Sequence, residues 1–289
     1  MLRAGSGEPL VLLHGILCSE RIWADVVPLL SADHEVIVPT LLGHNGGPVA
    51  SCSPARIEHV VDDVEWLLDQ LGLRRAHLAG NSLGGYVAIE LARRGRASSV
   101  CALSPAGAWK RGGEQGDRTI GHAASAAEVL AAAVQGIRHA HAKLPQLAQS
   151  DEWRARALRY NAVHGERVGL AEYLALADDV LGCEIAEDLL RDRTMQLTPL
   201  DPPPCPITLA WSEQDRLFPV EVNGALARQL IPGARFVVLP DVGHIPMLDD
   251  PQLVAQSILT AARCEPLLRD PTVAESGITR GTFEATGGG

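Results

Sequence analysis

Short apolar runs bounded by glycine or proline alternate with helical stretches through the first third of the chain, and few folds accommodate that rhythm. Leu10-Val11-Leu12-Leu13, Val36-Ile37-Val38 and Ala76-His77-Leu78-Ala79 are apolar without alternation, as strands covered on both faces must be. Pro54 and Ala55 open a helix after Ser53. Ile57, Val60, Val61, Val64, Leu67, Leu68 and Leu71 then recur at three- and four-residue spacing until Gly72 ends it. Ser99-Val100-Cys101-Ala102-Leu103 supplies the next strand. A β-α-β-α-β series with right-handed crossovers predicts an α/β fold built on a doubly wound, mostly parallel sheet.

From Trp109 to about Met195 the rhythm stops. The stretch is Ala-rich and helix-favouring, with polar breaks at Arg111-Gly112-Gly113-Glu114-Gln115-Gly116 and Leu144-Pro145. It reads as a helical insertion closed by the stiff connector Pro202-Pro203-Pro204-Cys205-Pro206. Strand Ile207 to Trp211, helix Val220 to Leu230, strand Arg235 to Leu239 and a helix from Pro251 to Arg263 then restore the pattern. The predicted organisation is a core over 1–107 and 200–264, a helical cap insertion over 108–199, and a disordered tail over 265–289 rich in Gly and Thr.

Composition narrows the partners. With 25 basic against 35 acidic residues the net charge is -10, which disfavours nucleic acid and anionic membranes. The six cysteines are dispersed without a CxxC pair, so buried free thiols are expected rather than disulfides or a zinc site. No N-terminal apolar segment resembles a secretion signal, and no stretch reaches membrane-spanning length. A cytoplasmic protein acting on a small molecule, without metal or cofactor, is the expectation.

The chemistry concentrates at strand ends. Gly80-Asn81-Ser82-Leu83-Gly84-Gly85 leaves the strand at Ala79 and enters the helical pattern of Tyr86 to Leu91. A serine held there needs a strained backbone, and glycines two before and two after remove the side chains that would collide. A serine hydroxyl also needs a base, and the base an orienting partner. Asp215 follows the strand ending at Trp211, and His244 follows the strand ending at Leu239. In a parallel sheet both loops leave the carboxyl edge that presents Ser82, so the three can converge. Singly, His244 reads equally well as an ordinary loop histidine and Asp215 as a helix-preceding carboxylate. Their joint order favours the catalytic reading.

With Leu12-Leu13-His14-Gly15, Gly80 to Gly85, Trp211 to Pro219, and Gly243 to Pro251, the chain resembles the α/β-hydrolase fold superfamily in its capped, serine esterase-like branch, over about residues 8 to 263. The resemblance implies Ser82 as nucleophile, His244 as general base and acid, and Asp215 as its carboxylate partner. The backbone N–H groups of Ile16 and Leu83 would form the oxyanion hole, and the insertion would be the cap that shapes the pocket. Relatives usually carry an Asp and a Gly-His-Gly turn where this chain has Thr40-Leu41-Leu42-Gly43-His44-Asn45-Gly46, so His44 reads as a turn-stabilising residue. Dehalogenases and epoxide hydrolases of this fold use an aspartate nucleophile, which Ser82 replaces.

The resemblance implies a hydrolase of small or medium acyl esters. Carbon-carbon bond hydrolysis of ring-cleavage products is the alternative, though Ile245 stands where that branch usually has Trp, and Leu17 and Cys18 where it has Gly and Pro. Cofactor-free haloperoxidase-like activity and a slow-turnover ligand receptor are further alternatives. His139-Ala140-His141 and His164-Gly165-Glu166 lack the spacing of a helical metal pair and read as cap-surface histidines. Trp153 to Tyr160 is a candidate basic face, more simply read as solvated. Trp109, Trp153, Tyr160 and Tyr173 are candidate pocket walls or cap core.

Overall fold

Strands apolar on both faces must lie between helical layers, and the sheet does. The computed structural model describes residues 1–109, 123–192 and 194–263; the tail predicted over 265–289 and the break at Arg111 to Gly116 lie outside the described residues. Seven strands run in the order β1-β3-β2-β4-β5-β6-β7, comprising β1 (Leu2–Ala4), β2 (Glu8–Leu13), β3 (His34–Val38), β4 (Ala76–Asn81), β5 (Ala97–Leu103), β6 (Ile207–Ser212) and β7 (Arg235–Leu239). Every pairing is parallel except β1 with β3. The three-residue β1 was not anticipated, being too short to show a period.

On one face, α2 (Ile57–Gln70) and α3 (Leu83–Arg93) cover Val11, Leu13, Leu78 and Val100. On the other, α1 (Val27–Leu30) and α10 (Pro251–Ala262) cover Leu10, Leu12, Ala79 and Cys101. Successive residues of one strand therefore serve opposite cores, which is why these strands show no polar alternation.

Between β5 and β6 the described elements are helical: α4 (Ala123–Ala140), α5 (Leu144–Leu147), α6 (Asp151–Ala157), α7 (Leu170–Gly182) and α8 (Ala186–Arg191). Leu144, Leu158, Val168 and Tyr173 give them a small core of their own. The helix expected from Pro54 starts later, at Ile57, because the chain is still extended at Arg56 (φ -120°, ψ 160°); insertion carboxylates receive the amides on either side, Ala55 N–H donating to Asp188 and Ile57 N–H to Asp192. The helix expected from Val220 opens with a π turn over Val220–Gly224 before α9 (Ala225–Leu230). Cys18, Cys101 and Cys183 are buried thiols, whereas Cys52, contrary to expectation, is exposed. Among the described residues, no helix is long and apolar enough to cross a membrane.

Candidate active site

Where β4 turns into α3, the backbone of Ser82 adopts φ 54° and ψ -113°, a conformation L-residues rarely occupy. The flanking glycines make it attainable. A side chain at Gly80 would collide with the backbone of Gly84, and one at Gly84 with the carbonyls of Leu13 and His14. The turn is then held from outside: Ser82 N–H donates to Leu103 O at 3.0 Å, and Ala106 N–H donates to Ser82 O at 2.9 Å. Strain is thus offset by neighbouring strand ends, leaving the hydroxyl at a fixed place on the carboxyl edge of the sheet.

The two other predicted residues meet at that edge. Asp215, with no exposed side-chain surface, accepts a hydrogen bond from His244 Nδ1 at 2.8 Å through Oδ2. Its Oδ1 is occupied by the amides of Leu217 (2.9 Å) and Phe218 (2.7 Å). Those two amides fix the carboxylate, and the carboxylate fixes the ring tautomer, so Nε2 is left as a proton acceptor. Phe218 also stands edge-on against the imidazole, with centroids 4.5 Å apart.

Ser82 and His244 line one cavity of about 650 Å³, together with Gly15, Ile16, Asn81 and the inner faces of α4 and α7. Leu83 is the first residue of α3, so its N–H has no acceptor one turn back and lies at the positive end of the helix dipole. Ile16 lies in the turn after β2, closed by Cys18 N–H to Gly15 O at 3.3 Å, with Leu17 at φ 65°. Cys18 also lines the cavity, but burial pushes its thiol up to about 12, so it offers no thiolate.

The sequence profile of the alpha/beta hydrolase family matches residues 10–257. The chain belongs to that family. It is 33% identical over 203 residues to the epoxide hydrolase EphH of Mycobacterium tuberculosis, covering 69% of this chain and 91% of the relative. It is 30% identical over 264 residues to the pimeloyl-[acyl-carrier protein] methyl ester esterase of Aeromonas hydrophila, covering 86% and 93%. A thermophilic esterase structure from Thermogutta terrifontis superposes with a TM-score of 0.64 at 25% identity, covering 91% of this chain and 92% of that one.

The contacts of His14, Thr40 and Asn81 in this alpha/beta hydrolase went unread in the sequence. His14 Nδ1 donates to Gly15 O at 2.8 Å while Nε2 accepts from Leu41 N–H at 2.9 Å, so the neutral ring stitches the turn carrying Ile16 to the loop after β3. Burial holds its pKa well below the usual value. His44 stacks edge-on against it at 4.9 Å, and its Nδ1 donates to Leu42 O, which gives the turn-stabilising role expected of it. Thr40 Oγ1 donates to the carboxylate of Glu20. Asn81 Nδ2 bridges Leu103 O (3.2 Å) and His244 O (2.8 Å), joining the serine's strand to the histidine's loop.

Among the candidate pocket walls, Trp153, Tyr160 and Tyr173 line the cavity. Trp109 packs against Phe218 instead, its Nε1 donating to Met195 O. Nor does Arg154 belong to a basic face. It is buried, and its guanidinium donates to Val168 O, Ala148 O and Asp151 inside the insertion.

Proposed function

We propose that the protein is a serine hydrolase that cleaves a carboxylic ester of a small or medium, uncharged acyl group. The observation that carries this reading is the single cavity lined by Ser82, on its strained turn, and by His244, whose Nδ1 is bound to the buried Asp215. In the proposed reaction, His244 Nε2 takes the Ser82 proton as Oγ attacks the ester carbonyl. The N–H groups of Ile16 and Leu83 receive the oxyanion, worth about 3 kcal/mol per donor. His244 then protonates the leaving alcohol, and water, activated by the same ring, releases the acid.

The cavity lining supports an uncharged acyl group. Its α4 wall is Val129, Leu130, Ala132, Ala133, Gly136, Ile137 and Ala140 with one carboxylate, Glu128, which would repel an anionic acyl group; among the described lining residues the one Lys or Arg, Arg159, lies over the Tyr160 ring and donates to Arg156 O. A ring-cleavage product carries at least one carboxylate, which the Glu128 side chain opposes and for which Arg159 is the one Lys or Arg among the described lining residues, so ester hydrolysis is preferred to carbon-carbon cleavage. Epoxide opening is disfavoured for a different reason. Attack by a carboxylate leaves an ester that water can hydrolyse, whereas attack by Ser82 would leave an inert ether.

Replacing Ser82 by Ala, measured on p-nitrophenyl esters of increasing chain length, should lower kcat by roughly 10⁴-fold or more. Unchanged hydrolysis overturns the reading.

A further inference from the structure

His244 sits on a loop, yet general-base catalysis tolerates misplacement of only about half an ångström. The residues on either side of it are both tied to the helical insertion. Gly243 N–H donates to Asp249 Oδ2 at 2.8 Å, and that carboxylate also accepts from Val163 N–H at 3.0 Å and His164 N–H at 2.8 Å. Ile245 N–H donates to Asn161 O at 2.7 Å. The contact is close because position 243 is glycine: a Cβ there would stand 2.9 Å from Asn161 O. Outside this bracket, the His164 ring reaches Asp241 at 2.9 Å.

From this bracket we infer that Asp249 is a positioning residue for His244, acting through the insertion segment 161–164; the inference rests on the serine-hydrolase reading above. One carboxylate collects amides from two segments some 80 residues apart and so makes the insertion and the histidine loop one mechanical unit. Three N–H donors converge on two oxygens. A carboxamide of the same shape would turn an NH₂ donor against one of them, breaking a limb of the bracket without opening a cavity.

The test is Asp249→Asn, titrated to completion with a fluorophosphonate so that rates refer to competent sites. The expected result is a fall in kcat per titrated site of tenfold or more, with KM for p-nitrophenyl butyrate within threefold. The low-field proton resonance of the His244–Asp215 bond should weaken in parallel. Wild-type kcat per site with an unchanged resonance overturns the inference. If Asp249→Asn does not fold, Asp249→Glu decides, because it keeps both acceptor oxygens but displaces them from the Gly243, Val163 and His164 amides: a two- to fivefold lower kcat per titrated site supports the bracket, and no change overturns it. Failure of the serine-hydrolase reading is distinguishable, because the wild-type protein would then take up no fluorophosphonate at all.

Discussion

The turn at Ser82 and the helical insertion are both fixed in place, but by different physics. The turn is held by sterics and backbone: two glycines where no Cβ fits, and main-chain bonds from Ser82 to Leu103 and from Ala106 to Ser82. The insertion is held by carboxylates. Asp179 on α7, buried, accepts from Ser19 Oγ at 2.6 Å, Arg21 Nη1 at 3.0 Å and Asn45 Nδ2 at 3.0 Å. Asp188 and Asp192 take amides at the start of α2, and Asp249 takes amides of the insertion. Sterics give a position that either exists or does not, whereas hydrogen bonds to charge can be weakened by degrees. Substitutions in the first region should therefore act as all-or-none changes, and those in the second as graded ones.

The comparison can be broken from either side. Asp215→Asn should have the largest effect, because it leaves the pocket's shape intact while allowing the wrong histidine tautomer; kcat should fall by roughly 10³- to 10⁴-fold in ester hydrolysis. Gly84→Ala comes next. The new methyl meets the Leu13 carbonyl, and denaturant unfolding should show a loss of about 3 kcal/mol or more, or no folded protein. A tolerated Gly84→Ala would mean that sterics do not hold the turn.

An acid titration separates the regions at a finer level. Burial, the main cause, lowers the His44 pKa to about 4, below its ordinary value of 6.5. Folding therefore favours the neutral ring: its contribution is complete above pH 6.5 and is lost as pH falls toward 4. Between pH 6.5 and 4.5 this amounts to about 2 kcal/mol, read as a drop in thermal midpoint that His44→Asn should make shallower, the remainder coming from His14, whose pKa burial also holds low. A midpoint independent of pH in that range would contradict the buried neutral pair of His14 and His44.

Asp179→Ala tests the carboxylate anchoring with a smaller loss of about 1–3 kcal/mol, since it strands the Ser19 and Asn45 donors while Arg21 can turn to water. Smallest of all, and opposite in sign, Gly136→Ala in α4 should stabilise by roughly 0.5–1 kcal/mol, because its Cβ meets no atom within 4 Å. That variant should alter ester chain-length preference before it alters the hydrolysis of acetate esters.

What the sequence disclosed follows the same division. Strands buried on both faces, the glycines around Ser82 and the placement of Asp215 and His244 after β6 and β7 were legible because each obeys a local rule of period or sterics. The anchors were not. Asp179, Asp249 and Asn81 act through contacts that include residues 86 to 163 positions away, and nothing in their own neighbourhoods marks those partners. The late start of α2 is of the same kind: Pro54 and Ala55 carry a helix-opening signal, but the chain stays extended at Arg56, flanked by Ala55 and Ile57 amides that Asp188 and Asp192 hold from across the fold. His14 was visible only as part of Leu12-Leu13-His14-Gly15, and its role between Gly15 and Leu41 depends on the loop after β3.

The central claim is that Ser82 forms the covalent intermediate. Acid-quenching the protein during turnover of a p-nitrophenyl ester and weighing it intact tests this most directly. The account predicts a mass increase of one acyl group, mapped by peptide fragmentation to Ser82 and absent from Ser82→Ala. An acyl group on any other residue, or full turnover by Ser82→Ala with no adduct, would contradict it.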